Sequence, residues 1–149
     1  MPEEYVVDTS VTAKIFINEE HTDIAKRLYK KASQKEIFLV APDLTWHELN
    51  SVFTKKQIPL ENIQQYLDVF QKLTETQVIQ IIPLSLQILN KGAEIASTDT
   101  KGQGYISSFD ATFHALALLN NSTFITADKV HYNKTKDLIG SVMLLKNFK

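Results

Sequence analysis

Phe124-Ile125-Thr126-Ala127-Asp128 and, near the other end of the chain, Tyr5-Val6-Val7-Asp8 share one construction: a short apolar run that closes on a carboxylate. Short runs without polar alternation are the pattern of strands buried on both faces, as in parallel sheets. Outward from the first run, a short helix is expected over 11–17. A longer one is expected over 22–33, with Ala25, Leu28, Tyr29 and Ala32 at helical spacing. A second strand falls at 37–40. Pro42-Asp43 leads into a helix over 45–56, Pro59 breaks it, and a helix over 60–74 carries Ile63, Leu67, Phe70 and Leu73 on one stripe. A third strand over 78–82 stops at Pro83. A helix over 85–97, a loop holding Gly102 and Gly104, and a helix over 108–119 lead to the fourth strand at 123–127. A short helix over 129–136 and a fifth strand over 142–145 finish the pattern. Strands alternating with helices predict an α/β fold.

A chain of 149 residues is expected to form one domain, 1–149, with a full core. Hydrophobic content of 44% and charged content of 22% are ordinary for a globular protein. The absence of cysteine excludes disulfides, thiolate zinc sites and cysteine nucleophiles together. Met1-Pro2-Glu3-Glu4 is acidic and the apolar run after it is brief, so neither a signal peptide nor a membrane span is expected and the cytoplasm is the default location. The net charge of −1 lacks the basic excess of a sequence-independent nucleic-acid binder. Lysines gather at Lys26-Arg27, Lys30-Lys31, Lys55-Lys56 and Lys134–Lys136, where each group alone reads as a solvated helix face.

Two further acids join the pair that closes the quoted runs. Glu48 opens the helix after the second strand, and Asp110 opens the alanine- and leucine-rich helix after Ser107-Ser108-Phe109. In a parallel α/β sheet, Asp8, Glu48, Asp110 and Asp128 all fall at the edge where ligands bind. Each has a structural alternative. Thr45-Trp46-His47-Glu48 and Ser107-Ser108-Phe109-Asp110 have the form of capping boxes, and Asp8 and Asp128 are residues that cap helices. The set of four is harder to explain by capping. Two like charges about 4 Å apart repel by roughly 4 kcal/mol at an effective dielectric near ~20, and Ser, Thr or Asn would cap without that cost. A divalent cation removes the repulsion, and all-oxygen ligation suits Mg²⁺ or Mn²⁺.

Val7-Asp8-Thr9-Ser10, Pro42-Asp43-Leu44 ahead of Glu48, Phe109-Asp110-Ala111, and Phe124-Ile125-Thr126-Ala127-Asp128, in this order and spacing, resemble the motifs of PIN-domain ribonucleases. The resemblance is closest to the VapC-type toxins of toxin–antitoxin pairs and covers nearly the whole chain. It implies a three-layer sandwich with a central parallel sheet of about five strands flanked by helices. It also implies a metal-dependent endoribonuclease, commonly a homodimer, held in check by a cognate antitoxin. Carried over by position, it gives Asp8, Glu48, Asp110 and Asp128 as the catalytic acids, with Ser10 and Thr126 as hydroxyl residues beside them. The chain departs from the family after Asp128. Many members have a further acid there, whereas this chain has Lys129-Val130-His131-Tyr132-Asn133, so that role falls to Asn133 or is absent.

The reaction expected is hydrolysis of RNA phosphodiester bonds with one or two Mg²⁺ or Mn²⁺ ions, Asp8, Glu48 and Asp110 as ligands directly or through water, Asp128 completing the site or holding a second ion, and Lys129 and Lys134 guiding phosphates. His114, four residues after Asp110, either faces the pocket or packs in the core. Trp46 and Tyr132 either stack on bases or pack. A second reading is a PIN-fold protein-binding module, in which Phe53, Ile58, Ile63 and Phe70 either offer apolar surface to a partner or a second copy or pack in the core, the two assignments being equally consistent with the sequence. A receiver domain is disfavoured because Glu3-Glu4 precede the first strand. A haloacid-dehalogenase-like phosphatase is disfavoured because Ser10 stands where its second aspartate belongs.

Overall fold

The protein is described by a computed structural model covering residues 2–149. The elements run β1 (Glu3–Val7), α1 (Thr9–Thr12), a 3-10 turn (Ala13–Ile15), α2 (Thr22–Ser33), β2 (Ile37–Pro42), α3 (Leu44–Lys55) and α4 (Leu60–Glu75). They continue β3 (Ile79–Ile82), α5 (Leu86–Ala96), α6 (Ser108–Leu119), β4 (Thr123–Thr126), α7 (Lys129–Thr135), β5 (Val142–Leu144) and a 3-10 turn (Leu145–Asn147). Among the described residues the five strands are all parallel, in the order β3-β2-β1-β4-β5, with helices flanking the sheet. This is the expected three-layer α/β architecture.

The strand order places a topological switch between β1 and β4. From β1 the chain winds outward through β2 and β3, returns to β4 on the other side of β1, and continues to β5. Loops leaving β1 and β4 diverge, which opens a crevice at their carboxyl ends. The register pairs Val7 with Ile125, so Asp8 and Thr126 emerge side by side. Val6, Val7, Phe124 and Ile125 are fully buried, as strands covered on both faces require. Helix α6 is apolar nearly all round because it lies against β1, β2 and β4 and also against α5. Gly92 serves that second contact: a Cβ there would sit 3.5 Å from the Thr112 backbone.

Helices 22–33 and 108–119 fall where the periodicity placed them. The helix expected over 11–17 is instead α1 followed by a 3-10 turn, and β1 begins two residues earlier than expected and ends at Val7. Trp46 packs edge-on to Phe70 at 4.8 Å, and Phe53 contacts Phe16 and Tyr66 at 5.8 and 5.3 Å. Of the apolar residues that the sequence left open between a partner surface and the core, Phe53, Ile63 and Phe70 are core. Their stripes face the sheet, and Leu60 and Val69 are the large apolar residues of α4 left exposed. No helix among the described residues is long and apolar enough to cross a membrane.

Candidate active site

Asp8 is the first residue after β1, in extended conformation, and its N–H still completes the ladder to the Ile125 carbonyl at 3.0 Å. Its carboxylate is buried. Oδ2 accepts from the Ser10 hydroxyl at 2.9 Å and from the Thr126 hydroxyl at 2.6 Å. Both hydroxyls are themselves acceptors: Ser10 Oγ takes the Ala127 N–H at 3.2 Å, and Thr126 Oγ1 takes the Asp128 N–H at 3.0 Å. The ends of β1 and β4 are thus tied by two hydroxyls, each with its single proton directed at Asp8. Burial pushes the Asp8 carboxyl above its usual range, the Thr126 and Ser10 bonds pull it back, and the Asp128 charge pushes it up again.

Glu48 lies half-buried on α3 and accepts from the Thr9 hydroxyl at 2.8 Å. Its carboxyl is raised by burial, lowered by the Thr9 bond, and raised by Asp8. It does not close a capping box: Asp43 begins α3 without a side-chain cap, and the buried Thr45 hydroxyl has no hydrogen-bond partner. Asp110 stands in the first turn of α6. Ser107 caps that helix by accepting from the Phe109 N–H at 3.2 Å, while Asp110 makes no side-chain hydrogen bond among the described residues. Its carboxyl is pushed from 3.8 to about 7, first by burial and then by Asp8, Asp128 and Glu48, with Lys134 pulling it down. Asp128 is a helix cap: Oδ1 accepts from the N–H groups of Val130 at 2.8 Å and His131 at 3.3 Å. The capping alternative therefore holds for Asp128 and fails for Asp8, Glu48 and Asp110.

The four acids share one electrostatic neighbourhood, since Asp110 senses the other three. Among the described residues, however, no group of three acids or histidines is drawn close enough to form a ready-made ligand cage. Asn133 is exposed on α7 and makes no hydrogen bond to the acids. Tyr132 carries the Lys136 ammonium 5.7 Å above its ring. Lys134 lowers Asp110 and donates from Nζ to the Tyr105 carbonyl at 2.5 Å, which ties the loop before α6 to α7. Lys129 is exposed next to Asp128. His114 is in the core rather than the pocket, bonded to His131 and to the Gly140 carbonyl. Thr9 is the site residue that sequence reading did not assign, although it sits inside the quoted Val7-Asp8-Thr9-Ser10 stretch.

The donor set fits a hard divalent cation. It is all oxygen, it carries up to four negative charges, and Asp110 in particular is repelled by Asp8, Asp128 and Glu48, with Lys134 offsetting them only in part. Two broader concavities, of about 520 and 700 Å³, lie elsewhere. One is lined by Tyr5, Lys31 and Phe148 and the other by Lys35, Phe38 and Gln77, and neither gathers the four acids.

A family model described as PIN domain matches residues 5–137. No curated protein matches the chain by sequence. Among solved structures, a chain of VapBC2 from Rickettsia felis, bound to a DNA fragment from its promoter, aligns with a TM-score of 0.68 and 18% identity, covering 95% of this chain and 98% of that one. VapC20 of Mycobacterium tuberculosis, a sarcin–ricin-loop-cleaving toxin, aligns with a TM-score of 0.63 and 14% identity over 83% of this chain and 87% of that one. FitAcB of Neisseria gonorrhoeae aligns with a TM-score of 0.64 and 16% identity over 97% and 99%. At these identities the likeness is one of fold.

Proposed function

Because this chain belongs to the PIN-domain family, we propose that it is a metal-dependent endoribonuclease, the toxin member of a toxin–antitoxin pair, with residues 1–149 acting as one nuclease domain. The observation that carries the reading is Asp110. This carboxyl is raised to about 7 by burial and by three other acids that reach it from the ends of β1 and β4 and from α3, and it serves no capping role that would explain it. Perturbed acids in a crevice at the carboxyl edge of a parallel sheet are the expected mark of a functional site.

In this reading Asp8, Glu48 and Asp110 hold Mg²⁺ or Mn²⁺, and Asp128 adds negative charge while anchoring α7. A bound ion of this kind lowers the pKa of water and offsets charge that builds on the leaving oxygen of the phosphodiester. The chain's own contribution is positional. Ser10 and Thr126 hold Asp8 Oδ2, leaving Oδ1 free of side-chain donors, and Thr9 fixes Glu48. Burial of Asp8, and partial burial of the other three, limits how far bulk water screens the acids. Lys134 and Lys129 offset the acidic field for an incoming phosphate backbone, which a chain of net charge −1 otherwise repels.

The partners proposed are an RNA substrate, a second copy of the chain, and an antitoxin whose basic segment matches the acidic crevice. Complexes of the VapBC kind among the structural neighbours support that last partner. Asp8→Asn and Asp110→Asn, assayed on single-stranded RNA with Mn²⁺, test the activity: cleavage should fall by at least a hundredfold in folded protein, and undiminished cleavage sinks the assignment. A second reading, a PIN-fold module that acts by binding alone, is favoured by the absence of a closed ligand cage among the described residues. It predicts a folded protein that binds no Mn²⁺ and cuts no RNA.

A further inference from the structure

Two histidines are buried next to the site without belonging to it. His114 lies on α6, one turn beyond Asp110, and His131 lies on α7, one turn beyond Asp128. Their rings meet through Nδ1 of His114 and Nε2 of His131 at 3.0 Å, and His114 Nε2 contacts the Gly140 carbonyl at 2.7 Å. Both rings pack on Phe124 of β4, with centroids 5.4 Å away in each case.

The hydrogen-bond pattern determines the protons. The Gly140 carbonyl only accepts, so His114 Nε2 carries a hydrogen. In a neutral ring its Nδ1 is then a lone pair, which His131 must meet with Nε2–H. Burial favours the neutral rings, with His131 held down at about 4. The pair is locked further at its margins. The His131 N–H donates to Asp128 Oδ1, and the Gly140 N–H donates to the Thr135 carbonyl at the end of α7. Gly140 has φ of +76°, a conformation that favours glycine and aims its carbonyl back at α6. One chain of bonds thus runs from the helix bearing Asp110, through both imidazoles, to the helix capped by Asp128.

We propose that His114 and His131 are positioning residues: the buried imidazole pair clamps α6 to α7 and so sets where Asp128 stands relative to Asp110. The proposal rests on reading Asp8, Glu48 and Asp110 as the ion's ligands, with Asp128 adding negative charge beside them. Two leucines would fill the same interior more cheaply, and a buried polar pair earns its place by fixing one relative arrangement.

Two measurements test it on the full chain. Imidazole ¹⁵N spectra of the metal-free protein should show both rings as Nε2–H tautomers, and an Nδ1–H tautomer on either ring overturns the pairing. Mn²⁺ binding, read by the free-ion EPR signal, should be within about twofold of wild type in His131→Gln, whose amide N–H still reaches His114. It should be weaker by about tenfold in His131→Leu, the range expected when an outer-shell partner of a ligand is lost. The double variant His114→Leu/His131→Leu leaves no orphaned nitrogen, only the part-exposed Gly140 carbonyl without its donor, and serves as control once its circular dichroism matches wild type. It should bind Mn²⁺ as weakly as His131→Leu, and wild-type affinity in it overturns the proposal. A wild-type protein that binds no Mn²⁺ refutes the ion-binding reading instead, and the spectra then decide the pairing alone.

Discussion

Replacing Asp110 with asparagine in metal-free protein isolates the electrostatic strain at the site. The wild-type carboxyl has a folded pKa of about 7 against 3.8 for the unconstrained group. Between those values the folded state holds a proton that the unfolded state has released. Stability therefore falls as pH rises through this window and levels off above pH 7. Each pH unit in the window is worth about 1.36 kcal/mol at full strength. From pH 5 to pH 7 that is about 2.7 kcal/mol, and partial exposure of the side chain reduces it to about 1–2 kcal/mol. Other groups titrate in the same range, including His131, whose depressed pKa acts in the opposite direction. The informative quantity is therefore the difference between Asp110→Asn and wild type at each pH. Urea denaturation in EDTA at pH 5, 6, 7 and 8 should show the variant's relative stability growing by about 1–2 kcal/mol across the series. A pH-independent difference, or one that shrinks towards pH 8, refutes the raised pKa and with it the central observation for the site. Added Mn²⁺ should reverse the ranking at pH 8, because a ligand that binds only the folded wild type stabilises it by mass action.

Thr126→Val removes the hydroxyl that joins the Asp128 N–H to Asp8 Oδ2. It should cost about 1–3 kcal/mol in chemical denaturation and weaken Mn²⁺ binding, with an isothermal titration indistinguishable from wild type counting against the bridge. Thr9→Val should act the same way through Glu48, lowering cleavage without moving the melting temperature by more than a few degrees. Lys134→Met should raise the KM for RNA and flatten its dependence on salt by about one charge, while kcat changes less, and an unaltered salt slope would remove Lys134 from substrate guidance. Phe53→Ala opens a hole in the cluster with Phe16 and Tyr66 and should destabilise by about 3–5 kcal/mol, checked by the denaturation midpoint.

The fold was legible because its signals are local. Apolar runs too short for helices, Pro59 and Pro83 as stops, and long stripes such as Ala25, Leu28, Tyr29 and Ala32 each report on a few consecutive residues, and the structure places those elements within one or two residues. What locality cannot supply is which side chains meet. The hydroxyl bridge joins Thr126 to Asp8 across 118 positions, Thr9 reaches Glu48 across 39, and His114 reaches His131 across 17. Strand order decides all of these, and nothing in the composition of β1 says that β4 rather than β2 alone lies beside it.

The same limit explains why capping and ligation looked equivalent for the four acids. Both readings place a carboxylate at the start of a helix, and both draw on the partial positive charge there. They differ in what the carboxylate touches. Asp128 accepts two N–H groups of its own helix, and the fold gains from it. Asp110 accepts none, although Ser107 three residues earlier does cap the same helix. An acid that is half-buried, crowded by three others and unused by its own helix lowers the stability of the chain. Serine or asparagine at that position would avoid the penalty. Asp8 is costly in the same way, but two hydroxyls and a strand end have been arranged to hold it in place. A group that is both destabilising and carefully supported is what the proposed divalent cation would require, since it would compensate the charge of a set of oxygens when bound. This reasoning separates Asp8, Glu48 and Asp110 from Asp128 on physical grounds. Asp128→Asn, which keeps an oxygen to accept the Val130 and His131 N–H groups, should therefore lose less Mn²⁺ affinity than Asp8→Asn or Asp110→Asn. A loss as large as theirs would show that Asp128 serves the ion as much as it serves α7.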